Sequence, residues 1–124
     1  AARGTAKRTY PWGHIFDVAL CNAQESGLGD TTPVDKYPRG ASPYGVLDMC
    51  GNVWEWLRDW YGDDYYQISP EAHPAGPAGG SRKGLRGGSF YFGHFGLRAA
   101  DRSSGDPADR NANIGFRCAQ VLAG

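Results

Sequence analysis

Glycine and proline punctuate this chain so densely that no long regular element fits between them. Nineteen glycines and eight prolines fall in 124 residues, and Gly27, Gly29, Pro33, Pro38, Gly40 and Pro43 break up the stretch 14–43. Proline removes a backbone donor and clashes with the preceding helical turn, while glycine loses the most freedom on ordering. An irregular, turn-rich domain is the expectation, pinned by four tryptophans, seven tyrosines and five phenylalanines rather than by helices. A chain of this length makes one domain, 1–124, with a small core, since it buries roughly two thirds of its unfolded surface. The formal net charge is zero, so no basic footprint points to nucleic acid or to an acidic membrane surface. No run approaches the ~20 apolar residues of a membrane span.

Local signals place the elements. Tyr10-Pro11-Trp12-Gly13 reads as a turn, and residues 14–43 as an ordered loop that needs metal or aromatic anchors. Val53 to Tyr61 alternates large apolar and polar side chains and reads as a strand, with one of Trp54 and Trp56 buried and the other partly covered. Residues 62–84 form a long excursion, Leu85 to Tyr91 a second strand in which Gly87-Gly88 permits close backbone approach, 93–113 a loop, and Ile114 to Val121 a closing strand. Cys21, Cys50 and Cys118 are odd in number and widely spaced, which favours buried free thiols and leaves a single disulfide between two of them open.

Three blocks carry a family resemblance: Gly45-Val46-Leu47-Asp48-Met49-Cys50-Gly51-Asn52-Val53-Trp54-Glu55-Trp56, Arg86-Gly87-Gly88-Ser89, and Ile114-Gly115-Phe116-Arg117. Together they resemble the formylglycine-generating-enzyme, or sulfatase-modifying-factor, family, and the resemblance runs from Tyr10 to Cys118. It implies an α+β C-type lectin fold of the formylglycine-generating-enzyme subclass, loop-rich with short antiparallel strands. In that family a tetrapeptide like Ala1-Ala2-Arg3-Gly4 ends a helix begun upstream. The expectation is therefore the C-terminal part of a longer domain, whose N-terminal portion is absent or supplied by another chain.

Asp48, Asn52 and Glu55 place oxygen donors within eight residues around a sharp turn at Gly51, a supply that suits the hard, oxygen-rich shell of calcium. Spacing alone is equally met by carboxylates that bond turn amides. The resemblance implies calcium held by the side chains of Asp48 and Glu55 and the carbonyls of Gly51 and Val53. It implies a second calcium on the Asn22 side chain and the carbonyls of Ala23 and Leu28, where Ser26 stands in place of an acid found in some members. Catalysis fares differently. The family's copper-binding cysteine pair follows the Arg-Gly-Gly-Ser block, and soft thiolates suit copper(I). Here that segment is Phe90-Tyr91-Phe92-Gly93-His94-Phe95-Gly96 without a cysteine. The related iron enzymes use three histidines, whereas His14, His73 and His94 fall in three unrelated loops. Neither copper nor iron is expected, and no catalytic residue is assigned.

Residues 85–117 also resemble the variable region of proteins diversified by retroelements, which use this fold as a scaffold. Adenine mutagenesis of an Asn codon cannot yield Lys, Glu, Gln, Met or Trp. Residues 90–113 contain none of the five, against fourteen in the other hundred positions. The resemblance implies a recognition surface for a macromolecular, proteinaceous ligand, built from Phe90, Tyr91, Phe92, His94, Phe95, Asp101, Ser103, Ser104, Asp106, Asp109, Asn111 and Asn113. Arg98, Arg102, Pro107 and Arg110 would keep the frame. Aromatics interleaved with small residues suit such a surface, since rings give large contact area at low entropy cost. About half of Phe90, Tyr91, Phe92 and Phe95 are expected to point inward, as in a strand. The resemblance further implies a prokaryotic or phage protein and accommodates display at a cell surface. The rival reading is a sulfatase-modifying-factor-like enzyme or accessory whose catalytic residues are lost or relocated.

Overall fold

The structure, a computed structural model, describes residues 1–2, 4–62 and 76–120. Most of the long excursion expected between 62 and 84, with His73, lies outside them.

Among the described residues four short strands form one sheet in the order β3-β2-β1-β4, with β1 Trp54–Trp60, β2 Lys83–Arg86, β3 Arg102–Gly105 and β4 Ile114–Gly115. β1 forms where aromatic and branched side chains favour a pleated, half-buried surface. It pairs antiparallel with β2 through Trp56 and Leu85, and parallel with β4 through Trp54 and Ile114. Trp54 is buried and Trp56 half-buried, the expected division of labour. Lys83 Nζ lies 3.8 Å from the ring centroid of Trp60 and donates to Arg58 O at 2.7 Å, which fastens the far end of the ribbon.

The helical content among the described residues is four 3-10 turns: Val18–Leu20, Gln24–Ser26, Pro38–Gly40 and His94–Leu97. Residues 14–43 are thus the ordered loop that glycine and proline dictate. Tyr10 and Gly13 close the predicted turn with reciprocal backbone bonds of 2.8 and 3.1 Å. Beneath these loops sits a core of Tyr10, Cys21, Ala23, Cys50 and Leu97, with Trp12 and Phe16 packed against it. Trp54, Leu85 and Phe90 are buried on the sheet.

Several expectations are corrected. The second strand ends at Arg86, because Gly87 and Gly88 take φ of +101° and +68°, outside the range of a pleated strand. A side chain at Gly88 would collide with Leu97 Cδ2 and stand 2.8 Å from Gly96 O, so the glycine lets the 94–97 turn dock. With the strand cut short its alternation does not reach residues 90–92, and only Phe90 of the four rings is buried, at 3% exposure. The closing strand stops at Gly115, since residues 116–120 are exposed and pair with nothing in the sheet. The expected loop 93–113 contains β3, which pairs with β2 from Lys83↔Gly105 to Arg86↔Arg102. Cys21 and Cys50 are buried free thiols, but Cys118 is exposed.

Candidate functional site

Two sets of residues singled out in the sequence come together in space. The first surrounds Asn52, whose φ of +66° follows Gly51 at +79° and Asp48 at +53°. This left-handed turn aims the Asn52 amide between loops. Its Oδ1 accepts from Thr32 N at 3.0 Å and from Asn22 Nδ2 at 3.4 Å, and its Nδ2 donates to Thr32 O and to Asp48 Oδ2 at 3.3 Å each. The backbone joins in through Asn52 N to Asn22 O at 2.8 Å. A Cβ at Gly51 would stand 2.5 Å from that same carbonyl, so only glycine fits.

Asn22 is fully buried, and its Nδ2 donates to Asp30 O at 2.7 Å. Its Oδ1 has no partner. An orphaned buried acceptor carries a desolvation cost, and a bound cation would remove it. Ser26 does not supply the missing acid: its Oγ donates to Cys21 O and accepts from Ala23 N, which closes its own turn. Asp48 and Glu55 are half-buried, and burial pushes both carboxyls above the usual carboxylate range, with Glu55 raising Asp48 further. Arg117 works against this. Its Nε donates to Glu55 Oε1 at 2.7 Å, and its terminal nitrogens donate to Leu47 O at 2.8 Å and Asp48 O at 3.0 Å. Two crowded carboxylates and one orphaned amide oxygen are hard donors that fit calcium. No cluster of three or more His, Cys, Asp or Glu side chains occurs among the described residues, so main-chain carbonyls would have to complete either shell.

The second set lies over the 94–97 turn. Tyr91, Phe92 and Phe95 are exposed at 60%, 40% and 73%, and His94 is half-buried. An aromatic ladder runs beneath them, from Trp12 stacked on Tyr10 at 5.4 Å, through Phe16 and His94, to Phe95 at 4.1 Å from His94. Glu25, which the sequence reading missed, fixes this turn: its Oε2 accepts from His94 N at 2.9 Å and meets His94 Nδ1 at 3.0 Å. Burial works to raise the Glu25 pKa, but hydrogen bonds from its own amide and from His94 outweigh it and hold the carboxyl below its usual value. Gln24 N donates to Phe92 O at 3.0 Å, and Tyr10 Oη to His94 O at 3.1 Å. The backbone of 92–94 is therefore clamped while its side chains face out.

The other candidates divide. Asn113 is tied to the interior, its Nδ2 donating to the buried Ser89 Oγ at 3.2 Å and its carbonyl accepting from Trp54 N at 2.7 Å. Asn111 is exposed beside it in sequence. Ser103 and Ser104 lie on β3, at the sheet edge opposite β4, where Ser104 Oγ accepts from Arg82 Nε at 2.9 Å. Asp106 and Asp109 are exposed in one turn, with Asp106 N donating to Asp109 Oδ2 at 3.2 Å. Asp101 is engaged by Arg98 at 3.0 Å. Phe90, buried against the Asn52 turn through its N–H to Asn52 O at 2.9 Å, cannot offer its ring to a ligand.

A curled four-stranded sheet, 3-10 turns and loops in place of longer helices among the described residues, and exposed rings over the 94–97 turn define a C-type lectin-fold domain of the formylglycine-generating-enzyme subclass. The chain belongs to the sulfatase-modifying factor enzyme 1-like domain family, whose profile it matches over residues 1–122. It is 46% identical over 119 residues to the serine/threonine-protein kinase pkn1 of Chlamydia caviae, which covers 94% of this chain and 18% of that protein. It is 39% identical over 139 residues to the formylglycine-generating enzyme of Streptomyces coelicolor, covering 96% of this chain and 43% of that one. Among solved structures it resembles Treponema denticola variable protein 1, with a TM-score of 0.78 and 25% identity over 93% of this chain and 41% of that one. PvdO from Pseudomonas aeruginosa is similar at 0.76 and 27%, over 93% and 46%. The chain spans less than half of each of these proteins. No helix among the described residues is long and apolar enough to cross a membrane.

Proposed function

We propose that this domain is a non-catalytic recognition module whose 90–113 segment presents a diversified surface to a protein ligand. The observation that carries the reading is the contrast within residues 89–97. Ser89, Phe90 and Leu97 are buried and hold the segment, while Tyr91, Phe92 and Phe95 stand exposed on a backbone clamped from below. Exposed rings on a fixed backbone give contact area at low entropy cost, and although Phe92 leans edge-on against Trp54 at 5.3 Å and Tyr91 on Phe90 at 4.5 Å, the buried rings themselves lie outside the varied set. The likeness to a variable protein supports this reading.

The test is a displayed library randomised at Tyr91, Phe92, His94, Phe95 and Asn111 and panned against hen lysozyme. Folded binders are expected, with a parallel library at Tyr10, Phe90 and Leu97 yielding none. Failure of the first library to fold would remove the proposal. Kinship with formylglycine-generating enzymes favours the rival, an enzyme or accessory of that family. Copper and a cysteine-bearing sulfatase peptide distinguish the two: the cysteine is expected to stay intact, and formylglycine forming at an enzymatic rate would favour the enzyme.

Calcium is part of the same proposal, at Asp48 and Glu55 with the carbonyls of Gly51 and Val53, and at Asn22 with those of Ala23 and Leu28. Its role would be to hold loops. At a hundredfold excess over Kd it would stabilise the domain by about 2.7 kcal/mol, so excess EDTA should lower the melting temperature by several degrees, and Asn22→Ala should shrink that difference. An unchanged melting curve in EDTA would remove calcium from the reading.

A further inference from the structure

Two of the three thiols lie together in the core, and the function above uses neither. Cys21 is 1% exposed and Cys50 2%, and both belong to one cluster with Tyr10, Ala23 and Leu97. The backbones that carry them are in contact: Asn52 N donates to Asn22 O at 2.8 Å, and the Gly51 Cα side is pressed against the same carbonyl. The neighbouring Cys21 thiol, together with burial, pushes the Cys50 pKa far up. Cys50 Sγ also donates to Leu97 O at 3.0 Å. Cys118 is exposed.

We infer that Cys21 and Cys50 are a built-in pair that closes to a disulfide when the chain folds in the presence of a low-molecular-weight disulfide, stapling the strandless chain between them. In the step, both thiols lose their hydrogens and an Sγ–Sγ bond forms. The S–S bond of the oxidant breaks, and it leaves as two thiols carrying the protons and electrons. Leu97 O gives up its S–H donor in exchange. The loop that would be closed runs from Asn22 to Met49 and contains only 3-10 turns, so it brings little order of its own to the unfolded chain. A cross-link there restrains many conformations, which is where a disulfide stabilises most. Burial of both side chains keeps the folded thiols out of reach of an oxidant. The bond therefore belongs to folding and does not form readily in the finished domain.

The experiment refolds the full chain and its Cys118→Ser variant from denaturant, either with a mixture of reduced and oxidised glutathione or with dithiothreitol. Free thiols are alkylated under denaturing conditions and the peptides mapped by mass spectrometry. Glutathione-refolded protein is expected to yield a linked Cys21–Cys50 peptide with Cys118 alone alkylated. It should melt about 10 °C above the reduced form. The same oxidant added to folded, reduced protein should leave Cys21 and Cys50 free over the same period. Three alkylated cysteines after oxidative refolding, or Cys118 linked to either partner, would overturn the inference. So would a linked pair that leaves the melting temperature unmoved. The Cys21→Ala/Cys50→Ala double variant should melt identically in both buffers, and if it does not fold, the oxidised and reduced Cys118→Ser forms decide the matter.

Discussion

Residues 14–52 and residues 90–113 are both mostly irregular backbone, yet they are held in opposite ways. The first region is fixed through side chains: the amides of Asn22 and Asn52 are buried, and together they bond Asp30, Thr32, Asp48 and each other. The second is fixed largely through its main chain. Phe90 N bonds to Asn52 O, Phe92 O accepts from Gln24 N, His94 O from Tyr10 Oη, and Ala99 N donates to Thr9 O. A loop held by its side chains cannot change sequence, because each replacement orphans a buried partner. A loop held by its main chain leaves its side chains free, and this lets a loop-rich domain be rigid and variable at once.

The comparison breaks most visibly at Asn52. Asn52→Ala removes both halves of the amide and leaves Thr32 N without its acceptor, in a backbone whose φ of +66° already disfavours alanine. One buried orphan costs about 1–3 kcal/mol and the strained φ about 1 kcal/mol or more. The expected result is a melting temperature lower by about 10 °C, read by circular dichroism. A shift under 2–3 °C, roughly what one small contact is worth, would mean that the amide hub does not hold the loop.

A smaller effect is expected where the two regions touch. Glu25, from the first, binds His94, from the second, and its carboxyl is held below its ordinary value of 4.5. A depressed folded pKa contributes stability that is present above the ordinary value and lost as pH falls through the folded one. The Glu25 side chain is 33% exposed and that of His94 42%, so screening limits the contribution to no more than about 1 kcal/mol. Glu25→Gln should therefore melt below wild type at pH 7, with the gap closing as the pH falls below the ordinary carboxyl value of 4.5 and the wild-type carboxylate protonates. A gap that persists or widens in acid would assign the loss to packing.

What the sequence made legible follows from the range of each interaction. β1 could be read because its tryptophans alternate within seven residues, and the Tyr10–Gly13 turn because proline and glycine act locally. β3 could not, since Arg-Ser-Ser-Gly carries no apolar alternation; it is a strand because β2 pairs with it and Arg82 bonds Ser104 Oγ and O at 2.9 Å. The carboxylates at 48 and 55 were marked by their motif. Arg117, which meets the Glu55 carboxylate from 62 residues away and the Asp48 carbonyl from 69, was not, and Glu25 stands 69 residues from His94. The ladder under the exposed rings joins Trp12 to Phe95 across about two thirds of the chain. Such pairings leave no trace in local spacing. The error over residues 85–92 was one of period, because two glycines at positive φ stop the alternation that was carried through them.

The sharpest test of the comparison has the smallest expected effect on stability. Tyr91 and Phe95 are 60% and 73% exposed, so truncating either removes little buried surface, whereas Phe90 one residue away is 3% exposed. Surface substitutions away from special features fall within about 0.5 kcal/mol, while Phe→Ala in a core costs about 3–5 kcal/mol. Each does touch a ring, Tyr91 that of Phe90 at 4.5 Å and Phe95 that of His94 at 4.1 Å, and an aromatic pair is worth about 0.5–1.5 kcal/mol beyond its area when well packed. Phe95→Ala and Tyr91→Ala should therefore cost similar amounts, each about 1 kcal/mol, with Phe90→Ala several-fold beyond either. Chemical denaturation of the three variants in one buffer separates these values. If Tyr91→Ala or Phe95→Ala destabilised the domain as much as Phe90→Ala, the segment would be held by its side chains after all, and it would have no more freedom to vary than the loop around Asn52.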